Sequence, residues 1–270
     1  MRRRTFLGLL LAACLLLCAC ARTSGTAQDA AQAEQPVLHI GTSIFAPYFY
    51  VGEDGSYAGV DHDIAVEACA RMGYTPDFTV MDWGDRDEVL ASGRIDCVWN
   101  CFIMTGREDD YQWAGPYLNT SIAVLVPADS DIQSAADLAG KTIALRVGSR
   151  QEAFFLENPN APAVRALSTY GTMRAAFTAF GKGYADAVVE HKAALQQMIA
   201  AQPTLYRCLE KPLFVAQAGV GFAKDAAPAT VQALDDVLAA MQADGTIAAI
   251  AQQYGLDMRD YGKVSEYHAR

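Results

Sequence analysis

From Val37 onward the sequence alternates short β-rich runs with stretches whose apolar residues recur at helical spacing. "VLHIGTSI" precedes "GVDHDIAVEACARMG", "TPDFTVMDW" precedes "DRDEVLASG", and "IDCVWNCF" follows. After "SIAVLVPADS" the alternation resumes through "SAADLAG", "KTIALRVG", "SRQEAFFLENP", "VRALST", "TMRAAFTAFGKG", "ADAVVEH" and "KAALQQMIAA". This pattern predicts an α/β fold of mostly parallel sheets covered by helices, because parallel neighbours need a crossover and a helix supplies it. In "VDHDIAVEACARMG" the residues Ile64, Ala65, Ala68, Cys69 and Met72 share one helical face. Asp61 or Asp63 stands where it would cap the start, and Gly73 where it would end the helix. Near the C-terminus, "ATVQALDDVLAAMQADGTIAAIAQQYG" predicts two helices divided at Gly245.

Residues 1 to 20, "MRRRTFLGLLLAACLLLCAC", join a basic tip (Arg2, Arg3, Arg4) to an apolar run and a small-residue exit, the layout of a secretory signal. The run is short for a membrane span of roughly 20 residues. "LCAC", Leu17 to Cys20, resembles the lipobox of bacterial lipoproteins, whose final Cys is diacylated, so Cys20 is the expected anchor. "LAAC", ending at Cys14, is the alternative. Residues 21 to 36, polar and Ala-rich, read as a flexible tether. Cleavage before Cys20 removes three arginines, so Lys+Arg falls from 21 to 18 against 31 Asp+Glu and the formal charge moves from -10 to -13. Such a charge disfavours nucleic acid as a partner. The remaining length, about 250 residues, exceeds the usual single core and predicts two lobes.

Three of the seven cysteines belong to the signal, leaving Cys69, Cys97, Cys101 and Cys208. Four scattered thiols do not make a disulfide framework in a chain of this size, though one bridge stays open. Cys97 and Cys101 read as small buried apolar side chains on or beside a strand. His39, His62, His191 and His268 show no metal-ligand spacing, and neither G-x-S-x-G nor H-E-x-x-H occurs. No metal, cofactor or catalytic residue is expected.

Five segments in order resemble the extracytoplasmic solute-binding proteins of polar amino acid ABC transporters, which have the type II periplasmic-binding-protein fold. They are "YAGVDHDIAVEACARMGY", "LASGRIDCVWN", "ADLAGKTIALRVGS", "AFGKGYADAVVEH" and "MQADGTIAAIAQQYG", within Val37 to Tyr261. The resemblance implies a clam-shell of two α/β lobes joined by two crossover strands, here "SIAVLVPA" and "AGVGFAK". Residues 37 to 125 and 222 to 270 would form lobe 1, and residues 126 to 221 lobe 2. It implies a monomer that captures a small polar solute, most simply an amino acid, and meets the permease subunits of an ABC importer. Two alternatives remain: an exported dehydratase-like enzyme on the same fold, and a binder of an organic acid lacking an α-amino group.

The resemblance also assigns residues. Arg107, after Thr105 in "NCFIMTGRED", matches the arginine that grips the ligand α-carboxylate, a task suited to the planar guanidinium fork. Asn100, Cys101 and Ile103 fall with Thr105 at ligand-contacting positions of this strand exit. Phe45 and Trp83 match apolar walls. Ser149 matches a hydroxyl position that serves the carboxylate, and Arg146 falls where some members carry a basic side chain. His191 stands where most members have the Asp that pairs with the α-amino group. Its neighbour Glu190 is the candidate replacement, which leaves His191 neutral and predicts weaker binding as it protonates at mildly acidic pH.

Overall fold

The computed structural model describes residues 35 to 256. The secretory signal, Cys14, Cys20, most of the tether and residues 257 to 270 lie outside them. The described strands are β1 (Val37–Thr42), β2 (Tyr50–Val51), β3 (Tyr57–Ala58), β4 (Thr75–Val80), β5 (Cys97–Ile103), β6 (Gln112–Pro127), β7 (Thr142–Arg146), β8 (Ala166–Tyr170), β9 (Ala187–His191), β10 (Tyr206–Cys208) and β11 (Phe214–Phe222). The helices are α1 (Val60–Met72), α2 (Arg86–Ala91), α3 (Arg150–Glu157), α4 (Met173–Gly181), α5 (Lys192–Ala201), α6 (Pro228–Ala243) and α7 (Thr246–Gln253).

One sheet runs in the order β4-β1-β5-β11-β6-β9-β7-β8, with β10 also on β6. It contains two parallel triplets, β4-β1-β5 and β9-β7-β8. The strands between them pair antiparallel: β11 with β5 and β6, and β6 with β9. The expectation of mostly parallel pairing therefore holds within the triplets and fails in the middle. The reason is topological: β6 carries the chain from one triplet to the other, β11 brings it back beside β6, and adjacent strands of opposite travel are antiparallel. Because β6 continues in the direction of β5 and β9 opposes it, both triplets point their carboxyl ends at the junction. In open α/β sheets that is where ligands bind.

Helical periodicity located α1 well. Val60, Ile64, Ala65, Ala68 and Cys69 are buried, and Gly73 ends the helix in the left-handed conformation at φ 73°. The cap is a correction. The N-cap residue is Gly59 and no side chain caps it; Asp61 turns inward, and Asp63 bonds His62 Nδ1 (2.8 Å) and Tyr254 Oη (2.5 Å). β6 begins at Gln112, nine residues before "SIAVLVPA", and contains Gly115 and Pro116, which sequence rules treat as breakers. They are tolerated where the β6/β11 register shifts between Ala218 and Val220, so the ladder asks no N–H of Pro116 there. All seven residues of β5 are buried, as a strand covered on both faces requires.

Cys69, Cys97, Cys101 and Cys208 are free thiols, the first three buried. Among the described residues no helix is long and apolar enough to cross a membrane, and no group of three or more His, Cys, Asp or Glu could hold a metal ion.

Candidate ligand-binding site

The strands that end at the junction deliver polar residues there, and these form one buried network. Ser43, just past β1, donates from Oγ to Asn100 Oδ1 on β5 at 2.7 Å, and Asn100 Nδ2 donates to Thr42 Oγ1 and to the Ser43 carbonyl, each at 3.0 Å. From the other triplet, Arg146 Nη1 at the end of β7 reaches Ser43 Oγ at 3.5 Å. Its Nε lies 3.4 Å from Glu190 Oε2 at the end of β9. Glu190 is fully buried, and its Oε1 accepts from Gln151 Nε2 at 2.5 Å and from the His191 amide at 2.9 Å. Neither Arg146 Nε nor Glu190 Oε2 has a hydrogen-bond partner among the described residues. The two atoms face each other as a buried ion pair without a hydrogen bond, so each keeps hydrogen-bonding capacity at this junction of strand ends.

His191 Nδ1 lies 2.8 Å from Thr120 Oγ1 and 3.5 Å from Cys101 Sγ, and Nε2 lies 3.6 Å from Glu190 Oε1. Burial, reinforced by Arg146, lowers its pKa well below the ordinary value, so the imidazole is neutral. This corrects the sequence expectation: weakening at mildly acidic pH does not belong to His191. Burial raises Glu190 above the usual carboxylate range, with Arg146 opposing the shift. The Cys101 thiol is pushed well above its ordinary value, chiefly by burial, and is no thiolate at neutral pH.

The arginine loop is built by a turn. Thr105 Oγ1 accepts from the Gln217 amide at 2.9 Å, the Arg107 amide donates to the Met104 carbonyl at 2.7 Å, and Gly106 takes φ 75°. The positive φ favours glycine, and a Cβ there would stand 2.4 Å from Arg150 Nη2, which would have to move aside. Arg107 is half-buried and donates from Nη2 to the Gly148 carbonyl at 3.0 Å, joining the loop after β5 to the loop after β7. Among the described residues no carboxylate lies within ion-pair distance of Arg107. Burial lowers its pKa to about 10, helped by Arg86 and Arg150.

Phe45 and Trp83 are buried, and they flank a guanidinium. Arg146 Cζ lies 4.1 Å from the Phe45 ring centroid and 5.1 Å from that of Trp83. Arg86 Cζ lies 5.1 Å from Trp83 and 5.6 Å from Phe102, and Arg107 Cζ lies 5.3 Å from Phe102. Three arginines thus alternate with three aromatic rings along the junction, an arrangement that suits cations removed from water. Ser149 caps α3 by accepting from the Glu152 amide at 3.2 Å. Ile103 is buried in the apolar cluster with Ile122, Val124 and Ile143.

The candidates Phe45, Trp83, Asn100, Cys101, Arg107, Arg146, Ser149, Glu190 and His191 all lie at or near the junction, whereas Thr105 and Ile103 support it from the strand exit. Sequence reasoning missed Ser43, Arg86, Thr120 and Gln151, which carry no motif signal. It misread Asp61, whose carboxylate accepts from the Cys101 amide at 2.5 Å and Tyr117 Oη at 2.9 Å. Those bonds hold Cys101 at φ 45°, the one positive value among described non-glycine residues.

Burial raises Asp61 from 3.8 to about 7, against the two hydrogen bonds. Between these values the folded protein binds the extra proton, so stability falls as pH rises from 4 to 7 by as much as about 4 kcal/mol from this group. Urea unfolding across that range should show the fall in the wild type and a flatter profile in Asp61→Asn. Parallel profiles would show that Asp61 is ionised throughout.

Two parallel triplets that point their carboxyl ends at one junction, linked by two antiparallel strands in the order β4-β1-β5-β11-β6-β9-β7-β8, are the arrangement of a type II periplasmic-binding-protein fold. The family described as bacterial extracellular solute-binding proteins, family 3, matches residues 38 to 257, and the chain belongs to it. A probable amino-acid-binding protein of Bacillus subtilis (strain 168) is 25% identical over 233 residues, covering 85% of this chain and 88% of that protein. An ABC uptake transporter substrate-binding protein from Streptococcus pneumoniae with bound histidine superposes with a TM-score of 0.75 at 26% identity, covering 82% and 94% of the two chains. An ancestral arginine-binding protein bound to arginine gives 0.74 at 25%, covering 82% and 98%.

Proposed function

We propose that this chain is an extracytoplasmic binding protein that encloses an α-amino acid between two lobes and delivers it to the permease subunits of an ABC importer. Each lobe carries one triplet, and β6 and β11 are the crossovers. The supporting observation is that one junction holds Arg107, with no carboxylate among the described residues within ion-pair distance, and the buried carboxylate Glu190, whose Oε2 meets Arg146 Nε at 3.4 Å without a hydrogen bond. Arg107 takes the α-carboxylate, assisted by the backbone about Ser149. Glu190 takes the α-ammonium, with His191 neutral beside it. Phe45 and Trp83 form the walls, and Asn100 and Cys101 the floor.

A panel of amino acids tested by thermal shift checks this reading, since a ligand bound only by the folded state at a hundred times its Kd adds about 2.7 kcal/mol. If no α-amino acid raises Tm, the reading fails. The enzyme alternative draws on the contacts among Cys101, His191 and Glu190, but a thiol held protonated by burial is a poor nucleophile. Incubation with the bound ligand should return it unchanged, and any product would reverse the assignment.

The chain is further proposed to be a monomer, lipid-anchored through Cys20 on the outer face of a bacterial membrane. The basic and apolar signal, its small-residue exit and the polar stretch after it support this. A diacylglycerol supplies the two chains that stable anchoring needs. Cys20→Ser should move the protein from the membrane fraction to the soluble fraction. A variant that stays lipidated would transfer the anchor to Cys14.

A further inference from the structure

If the site takes an α-amino acid as proposed, one of its cations is left without a ligand group. The α-carboxylate falls to Arg107 and the ammonium to Glu190, and Arg146 remains. The residue is 4% exposed, lies between Phe45 and Trp83, and holds its Nε 3.4 Å from Glu190 Oε2 in an ion pair that makes no hydrogen bond. A cavity of about 340 Å³ opens beside it, lined by Ser43, Ile44, Met81, Trp83 and Thr172. The guanidinium lines that space while its Nε faces Glu190.

Other charges lie close by. Arg86 has Asp87 at 3.2 Å and Arg150 has Glu157 at 4.0 Å, both carboxylates more than half exposed, so these two buried cations are only partly offset. Asp61 is committed to the Cys101 amide and the Tyr117 hydroxyl. Asp82 borders the cavity as an exposed residue, where water and salt weaken its field. On the proposed reading the enclosed groups that meet the ligand are Arg107 and Arg146 against Glu190, a surplus of one positive charge before the partly offset Arg86 and Arg150 are counted. A zwitterion leaves that surplus in place. A cationic side chain doubles it and must enter an aromatic pair that already holds a guanidinium, whereas a second carboxylate cancels it. Enclosed charges without partners are strongly disfavoured, which makes this count a statement about specificity.

We propose that the site selects α-amino acids with an acidic side chain, Arg146 receiving the side-chain carboxylate and excluding cationic side chains from the Phe45–Trp83 slot. The bidentate geometry of guanidinium toward carboxylate suits Arg146 to this role.

Calorimetric titration of the full chain at neutral pH with L-glutamate, L-aspartate, L-glutamine, L-asparagine, L-arginine and L-lysine tests it. An acidic ligand should bind tighter than its own amide by about tenfold or more, and the cationic pair should bind weakest. Arg146→Met should bring the acid-to-amide ratio near one, while Arg146→Lys should keep the acid ahead. If Arg146→Met fails to fold, the wild-type panel and Arg146→Lys still decide. An amide or a cation binding tighter than the acids overturns this inference and leaves the amino-acid reading standing. Heat from none of the six, together with no Tm shift from any α-amino acid, overturns both.

Discussion

Arg107→Ala is expected to weaken ligand binding by roughly one and a half to more than three decades while the fold survives. Truncating one partner of an enclosed charge pair costs about 2 to 5 kcal/mol, much of it the penalty on the carboxylate left without its donor. Survival of the fold follows from what Arg107 does without ligand. It is half-buried, makes one hydrogen bond to the Gly148 carbonyl and rests on Phe102, and no carboxylate among the described residues depends on it. The loop itself is held by the Thr105 hydroxyl on the Gln217 amide and by Trp113 Nε1 on the Arg107 carbonyl, neither of which needs the guanidinium. Calorimetry measures the loss, and unchanged affinity would return Arg107 to a purely structural contact between the two loops.

Glu190→Gln is expected to cost a comparable amount if the ligand carries an α-ammonium. Oε2 is buried and meets Arg146 Nε at 3.4 Å without a hydrogen bond, and only the ionised carboxylate both balances the ligand charge and accepts its hydrogen bond. The pH dependence gives an independent sign. Burial raises the Glu190 pKa, so affinity should weaken as pH falls through a range above that of ordinary carboxylates, because protonated Glu190 cannot hold an ammonium. That acid limb should vanish in the Gln variant. His191 does not account for it, being held neutral by burial and by Arg146 to well below its ordinary pKa. Urea unfolding without ligand separates the cost of leaving Arg146 unpaired from the cost in binding. Wild-type affinity for an α-amino acid in Glu190→Gln would remove Glu190 as the amino-group partner. Tighter binding of an organic acid would favour a ligand without an α-amino group.

Much of the fold is legible along the chain because its units are local. The apolar face of α1, the stop at Gly73, the break at Gly245 and the apolar run of β5 each follow from side chains within a few residues of one another. Arg107 and Glu190 also stood out, the first through its loop and the second through its place beside His191. The early start of β6 did not, because Gly115 and Pro116 argue locally against a strand and only the shifted register on β11 accommodates them.

The sequence by itself therefore determined the α/β class, the run of elements and the residue types able to bind a carboxylate and an ammonium. Tertiary structure alone decided which of those charges meet. Ser43, Asn100, Arg146, Gln151 and Glu190 come from segments far apart in the chain and converge only because two triplets point their carboxyl ends at one junction. Asp61 shows the same dependence at one residue. Its place at a helix start suggests a cap, yet the first turn of α1 lies over the exit of β5, and the carboxylate binds the Cys101 amide there. Propensity acts over a few residues, while the partners of a buried charge are chosen by packing across the whole sheet.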